Sequence, residues 1–314
     1  MEKYLKILKS AKSVALFAHV SPDPDTIGSV LALAEILEKM GKKVHMFSPD
    51  FLPENYYFIE KTNEFKDEPE TYDLLVAVDV SSYNRLGRYE EYFRAHKNTL
   101  RIDHHVVAEG IDSVNKVFPY SACAIGIFEI AKKLKVKLTP TIATELYFGI
   151  CGDTGIFKNN NTDSQTFEVC AQLLKAGAEP RKVYSEFFEK KTIPYIHLSS
   201  HILLNAKINK KLGYAVMKVS VDDYNKYGAA LEENVSGLPH SYLNAGCKIA
   251  VILKEKEDGI HCSFRSKYEY DVAAIAEKFE GGGHKNASGA RIPGTLKGVA
   301  TKVEKEIKEY LKNI

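Results

Sequence analysis

Apolar positions in the first half of the chain follow two alternating rhythms. Short continuous apolar runs, SVALFAHV at 13–20, KVHMF at 43–47 and DLLVAVDV at 73–80, read as buried strands, and TLRID at 99–103 as a fourth. Stretches of helical period lie at 26–40, ending at Gly41, and then at about 124–134, 141–151 and 164–176. Strands alternating with helices predict an α/β fold whose parallel sheet is covered on both faces. Ahead of them Tyr4, Leu5, Leu8 and Ala11 fall at helical spacing, an amphipathic helix expected to pack on the domain. The rhythm changes after Pro180. Residues 181–209 are mostly helical, partly polar and interrupted near Pro194, which predicts a connector rather than one unbroken helix. Beyond it, strands are expected over 214–219, 248–254 and 261–265, the last two flanking the turn EKEDG at 255–259. Helices over about 272–279 and 296–311 complete a second, smaller α/β domain. The expected division is 1–182 for the larger domain, 183–209 for the helical connector and 210–314 for the smaller domain.

Composition narrows the function classes. With 45% hydrophobic and 27% charged residues over 314 positions, the chain buries a full core, so disordered, collagen-like and disulfide-scaffold classes are excluded. Lys+Arg is 43 against Asp+Glu 41, too even for a protein that coats long duplex nucleic acid, although a local basic groove for a short anion is compatible with it. The cysteines, 123, 151, 170, 247 and 262, are odd in number and none are spaced C-x-x-C, which predicts reduced thiols and a cytoplasmic setting. No run approaches the ~18 apolar residues of a membrane span, and the N-terminus lacks a signal-peptide pattern, so no membrane association is expected.

The chemistry is concentrated where predicted strands end, the edge at which open parallel sheets bind ligands. HVSPDPDTIGS follows the first strand; its prolines stiffen the loop so that His19, Asp23 and Asp25 converge, and Gly28 permits close approach of another element. Asp25 also suits a helix N-cap, which would explain one Asp but not His plus two Asp. Asp79 ends the apolar strand LLVAVDV, where a carboxylate must be paired or metal-bound. Asp103, His104 and His105 end the fourth strand; adjacent imidazoles reach one site only if the strand has ended in a turn. Asp153 stands between glycines in GICGDTGIF. Four carboxylates in one cleft would repel strongly without cations. His19, Asp23, Asp25, Asp79, His104 and Asp153 outnumber the ligands of one ion, and carboxylate plus imidazole without thiolate suits Mn²⁺, Zn²⁺ or Fe²⁺. Two divalent ions ~3.5–4 Å apart, an arrangement for in-line attack on phosphorus, are the natural reading.

In this order HVSPDPDTIGS, VAVDVSS, IDHH and GDTGIF resemble the four motifs of the DHH phosphoesterase superfamily. The chain also resembles the stand-alone DHH–DHHA1 branch of bacterial nanoRNases and pAp phosphatases, through GGGHKNASG at 281–289, SFRS at 263–266 and DVAAIAEKF at 271–279. The resemblance implies a larger parallel-sheet DHH domain and a smaller α/β DHHA1 domain with the catalytic cleft between them. It implies that His19 and Asp23 hold one ion, that Asp25, His104 and Asp153 hold the other, that Asp79 bridges both, and that Mn²⁺ is the favoured metal. Asp103 would orient a histidine, and His105 would face the substrate. Arg265, Ser266, Gly282, Gly283 and His284 would bind it, Arg265 as a bidentate clamp and the glycines by exposed N–H groups. Very short oligoribonucleotides, pApA and pAp are the implied substrates. Cyclic di-AMP hydrolysis and RecJ-like single-strand exonuclease action are the alternatives, and a homodimer through the DHH domain is implied as well.

Three positions depart from the family's habits: Glu280 where a fourth glycine is frequent, Gly152 where Thr or Ser is frequent before the Asp, and Cys123 in a segment usually rich in Ser and Thr. His197 and His201, four apart, have the spacing of a metal pair but no acidic signature beside them, so structural roles are expected. Arg85 is expected to brace a loop, and the tail helix to present a solvated charged face.

Overall fold

In the computed structural model, which describes residues 2–53, 56–105, 114–231, 233 and 235–313, the chain divides into two compact units, Met1–Lys190 and Lys191–Ile314. The first is built on a wholly parallel five-stranded sheet of β1 (Ser13–Phe17), β2 (Lys43–Phe47), β3 (Leu74–Val78), β4 (Thr99–Asp103) and β5 (Val114–Val117), in the order β2-β1-β3-β4-β5. Its helices are α1 (Lys3–Ser10), α2 (Pro24–Lys39), α3 (Glu90–Ala95), α4 (Cys123–Leu134), α5 (Pro140–Asp153), α6 (Ser164–Lys175) and α7 (Pro180–Phe188). Successive strand residues point to opposite faces, so the apolar runs feed two cores. Val14 and Leu16 of β1 and Leu74, Val76 and Val78 of β3 join the core shared with α2, α4 and α5. Ala15, Phe17, Leu75 and Ala77 join an aromatic core on the other face, where Phe17 stacks on Phe47 at 5.1 Å and meets Phe93 edge-on at 5.8 Å. As expected, α1 buries Tyr4, Leu5 and Leu8.

The second unit comprises α8 (Ile193–Leu204), β6 (Lys207–Asn209), β7 (Tyr214–Val219), α9 (Val221–Tyr227), α10 (Pro239–Asn244), β8 (Ile249–Lys256), β9 (Gly259–Ser266), α11 (Ala273–Glu277), β10 (Gly282–His284), β11 (Ala287–Ile292) and α12 (Leu296–Lys312). Its mixed sheet runs β10-β11-β9-β8-β7-β6. On one face Val251, Phe264 and Ile275 meet Val299, Val303 and Ile307 of α12. On the other, Ala215, Met217 and Ile252 meet Leu198 and Ile202 of α8. Pro194 does not break a helix; it lies in the first turn of α8, where a missing N–H is harmless. The stretch read as a connector is thus α7 in the first unit and α8 in the second. All five cysteines are free and buried, and among the described residues no helix is long and apolar enough to cross a membrane.

Candidate functional site

Strand register sets the first row of side chains. Phe17 pairs with Ala77 and Val78 with Ile102. Carried one or two residues past the strand ends, that register brings His19, Asp79 and Asp103 level at the carboxyl edge of the sheet. Asp79 N–H donates to the Ile102 carbonyl at 2.8 Å, and Asp79 sits at φ 61°, a left-handed conformation that a side-chain-bearing residue holds only under constraint. Thr26 Oγ1 donates to Asp79 Oδ2 at 2.7 Å.

Helix ends supply the other candidate ligands. The cap of α2 is Asp23, not Asp25: Asp23 Oδ1 accepts from Thr26 N–H at 2.9 Å, with Pro24 opening the helix. Asp25 is then free for the site. It is fully buried, and its two oxygens accept from the N–H groups of Cys123 (2.6 Å) and Ala124 (3.0 Å), which the start of α4 leaves without helical partners. Backbone groups do this anchoring, so a cysteine at position 123 serves as well as Ser or Thr would.

Close packing of α2 on α5 brings Asp25 to Asp153. A Cβ on Gly28 would lie 2.3 Å from the Glu145 carbonyl oxygen; one on Gly149 would lie 2.9 Å from Asp25 Oδ1. Gly152 also has a local cause here, since a Cβ would stand 2.7 Å from Pro24 Cβ. Asp153 ends α5, its carbonyl held by Asn159 Nδ2 (3.0 Å) and Asn161 Nδ2 (3.2 Å), while Gly155, Ile156 and Phe157 reverse the chain at φ 56°, 56° and 62°.

These elements converge on three overlapping clusters of candidate ligands: His19–Asp23–Asp79, Asp25–His104–Asp153 and Asp79–His104–His105. His19 Nε2 is 3.4 Å from Asp23 Oδ2 and 3.8 Å from Asp79 Oδ2. His104 Nε2 is 3.0 Å from Asp153 Oδ2, 3.5 Å from Asp79 Oδ1 and 3.9 Å from Asp25 Oδ2. Asp79 therefore turns one oxygen toward each side. β4 ends at Asp103, and the turn that follows brings both histidine rings to one place, 4.5 Å apart. His104 Nδ1 donates to the Tyr120 carbonyl (3.1 Å), which leaves Nε2 bare; His105 Nδ1 is engaged by Asp103 Oδ1 (2.8 Å). Arg85 does more than brace the loop through Val20 N–H, since its Nη2 also lies 2.9 Å from His19 Nδ1.

The site fits divalent cations on two observations. Asp79 Oδ1 and His104 Nε2 are buried with no hydrogen-bond partner among the described residues. The charges are also out of balance. Burial, then Asp79 and Asp153, push the Asp25 carboxyl well above its ordinary range. Burial, with Asp23 and Asp153, raises Asp79 to about 7 against the pull of His104 and His19. Burial works against the His104 imidazolium, yet Asp153, Asp79 and Asp25 raise it to about 10. Cations among these oxygens relieve the same repulsion without protons.

In the second unit Arg265 and Ser266 point to opposite faces of β9. Arg265 donates only to the Phe264 carbonyl (2.8 Å) and has no acidic partner among the described residues. Ser266 is buried; its hydroxyl donates to the Tyr270 carbonyl (2.7 Å) and accepts from Asn286 Nδ2 (3.0 Å), so it braces the hairpin from behind. In that hairpin a Cβ on Gly281 would lie 2.3 Å from the Gly289 oxygen, and Gly283 has φ 137°, whereas Gly282 opens onto free space. His284 pairs with Ala287 and is exposed. His201 Nε2 lies 3.3 Å from Asp223 Oδ1, and His197 belongs to none of the candidate ligand clusters.

Comparison with known proteins bears on the fold and the family. The models for the DHH family N-terminal domain and the DHHA1 domain match residues 13–150 and 233–313. The chain is 27% identical to the bifunctional oligoribonuclease and PAP phosphatase NrnA of Bacillus subtilis over 288 residues, 89% of each chain. It is 30% identical to the uncharacterized protein MG371 of Mycoplasma genitalium over 300 residues, 92% of this chain and 89% of that one. The crystal structure of an exopolyphosphatase-related protein from Bacteroides fragilis superposes with a TM-score of 0.91 at 23% identity, over 98% of this chain and 95% of the other. The chain belongs to the DHH family, in the form that carries a DHHA1 domain behind the DHH domain.

Proposed function

We propose that this DHH phosphoesterase hydrolyses very short oligoribonucleotides, pApA among them, to mononucleotides and also releases phosphate from pAp. The observation that carries the reading is the position of Asp79, whose Oδ2 belongs with His19 and Asp23 and whose Oδ1 stands 3.5 Å from His104 Nε2, these last two atoms being buried without a hydrogen bond among the described residues. On this reading His19 and Asp23 hold one divalent ion, Asp25, His104 and Asp153 hold a second, and Asp79 contacts both. Mn²⁺ is the proposed metal, in keeping with mixed carboxylate and imidazole donors. Bound there, the ions would neutralise the carboxylates and polarise water and phosphoryl oxygen.

The chain's own groups do the rest. His105 is proposed as the substrate-side group: its Nδ1 is fixed by Asp103, which leaves Nε2 to meet charge developing on a phosphoryl oxygen. Arg265, Gly282, Gly283 and His284 are proposed to bind substrate phosphate, supported by the unneutralised guanidinium and the open backbone at Gly282. Free, buried cysteines accord with a cytoplasmic enzyme. A homodimer through the DHH domain is proposed as well.

The test is product analysis with Mn²⁺ on pApA, pAp, cyclic di-AMP and a long single strand in parallel. Conversion of pApA to AMP and of pAp to AMP, with little attack on the long strand, is expected. Preference for the long strand would replace the proposal with a RecJ-like exonuclease, and equal cleavage of cyclic di-AMP with a second-messenger hydrolase. Asp79→Ala should lose both metal and turnover; full retention of either overturns the shared-ligand reading.

A further inference from the structure

Beneath the clusters lies a buried cation that none of them uses. On β4, Leu100 and Ile102 turn into the helix-covered core, so Arg101 and Asp103 face the other way. The Arg101 side chain is 4% exposed and Asp103 is fully buried. Arg101 Nη1 donates to the Ser81 carbonyl at 3.2 Å and stands 3.6 Å from Asp103 Oδ2. The Asp103 oxygens divide their partners cleanly. Oδ1 accepts from His105 Nδ1 (2.8 Å), His104 N–H (2.8 Å) and His105 N–H (3.3 Å); Oδ2 forms no hydrogen bond among the described residues and has the guanidinium as its neighbour. A partial rotation of this carboxylate would draw its oxygen off His105 Nδ1, and a fixed positive charge beside the other oxygen opposes that rotation. The same guanidinium holds the carbonyl of Ser81, two residues past Asp79, so it joins the loop after β3 to the end of β4. An apolar side chain would fill the volume without desolvating a charge, whereas a planar, weakly hydrated guanidinium suits a fixed contact in a dry place.

We infer that Arg101 is a positioning residue: it fixes the Asp103 carboxylate, and through it the imidazole of His105. This rests on the substrate-side role proposed for His105.

The test uses the full Mn²⁺-loaded chain with Arg101→Met, Arg101→Lys, His105→Ala and the Arg101→Met/His105→Ala double variant. Metal content, melting temperature, and kcat and KM on pApA are measured for each. Arg101→Met should keep its metal and a cooperative melt, lose about 10–100-fold in kcat, as for residues that orient a metal-site histidine, and leave KM within about twofold. Arg101→Lys keeps the charge without the planar fork and should fall between Arg101→Met and the parent, so it decides the matter if the Met variant does not fold. Added to His105→Ala, Arg101→Met should change kcat less than about twofold, because groups acting as a unit are not additive. Losses that multiply, a kcat within twofold of the parent, or activity that falls only as metal falls would each overturn the inference. A readout apart from turnover is the histidine ¹⁵N spectrum of the unaltered chain against Arg101→Met, both loaded with Mg²⁺, a diamagnetic ion that leaves the ring signals visible. One fixed Nδ1–H tautomer of His105 should give way to a mixture, and an unchanged spectrum rejects the inference. If the parent chain cleaves none of the substrates, the proposed function fails while this spectrum still decides the role of Arg101.

Discussion

Glu280 holds a strained backbone for the sake of a turn. It sits at φ 57° as α11 ends, where Gly281 N–H reaches back to the Ala276 carbonyl, a helix exit usually made by glycine. Glu280→Gly should therefore raise stability by about 1 kcal/mol, read as a higher melting temperature with turnover unchanged; a lower melting temperature would show that the Glu side chain contributes something the turn needs. The proposed metal ligands make a second prediction. In the metal-free chain Asp79 titrates at about 7, above its ordinary value, so the folded state holds a proton that the unfolded state has released. Its contribution to stability then grows as pH falls from 7 toward the ordinary carboxylate range. His104, raised to about 10, stabilises fully below its ordinary value and loses that effect as pH rises through 10. Both have the same sign: the metal-free chain should melt higher at about pH 5 than at about pH 8.5, and Mn²⁺ should shrink the gap. Thermal melts at both pH values with and without metal decide this, and a gap that metal leaves untouched counts against the site. The residue types and order of the candidate ligands were legible in the sequence because they stand where apolar runs end. Thr26, Asn159, Asn161 and the Tyr120 carbonyl, which hold those ligands, were not. Their roles depend on which oxygen or ring nitrogen faces which partner, and spacing along the chain does not encode that.

At the scale of elements, the sequence was readable where a run was long and periodic and silent where pairing came from elsewhere. β2, β4 and β7 fall where the apolar runs predict them. β5, β6, β10 and β11 were missed: β5 is a partly exposed edge strand, β6 is three residues long, and β10 is GGH, exposed throughout, with no side-chain pattern to read. α9 had a usable signal in Ser220 and Asp223, which form a capping box three residues apart. Gly28 was legible as a place of close approach, but its neighbour was not, because the α2–α5 crossing is fixed only in three dimensions. That crossing gives a prediction. Gly149→Ala places a Cβ against Ala124 and Asp25 Oδ1, each 2.9 Å away. Overpacking of this kind destabilises by about 1–3 kcal/mol, and the atom that must move is a proposed ligand. On the proposed two-ion reading, metal content should fall toward one ion per chain along with the melting temperature. A variant that melts lower yet keeps two ions would mean that Asp25 is not needed to hold the second.

At the scale of the whole molecule, the boundary between units follows from where α8 finds its core. Residues 183–209, read from their polarity as a connector, have no core of their own: α7 buries Val183 with the first unit, while α8 buries Leu198 and Ile202 against Ala215, Met217, Val219 and Ala250 of the second. Polarity along the segment hid this because α8 sends only two side chains fully inside and leaves Ile193, Ile196 and Leu204 exposed. A fragment spanning 191–314 should therefore fold by itself, with both faces of its sheet covered. One beginning at 210 loses α8 and the edge strand β6 together. Burying two such aliphatic side chains contributes roughly 3–6 kcal/mol, a large share of the ~5–15 kcal/mol that holds an ordinary domain. The longer fragment should show a single cooperative melt and protected amides in β8 and β9, and the shorter should lack both. If the shorter fragment melts as well as the longer, α8 is a passenger and the boundary lies at the start of β7.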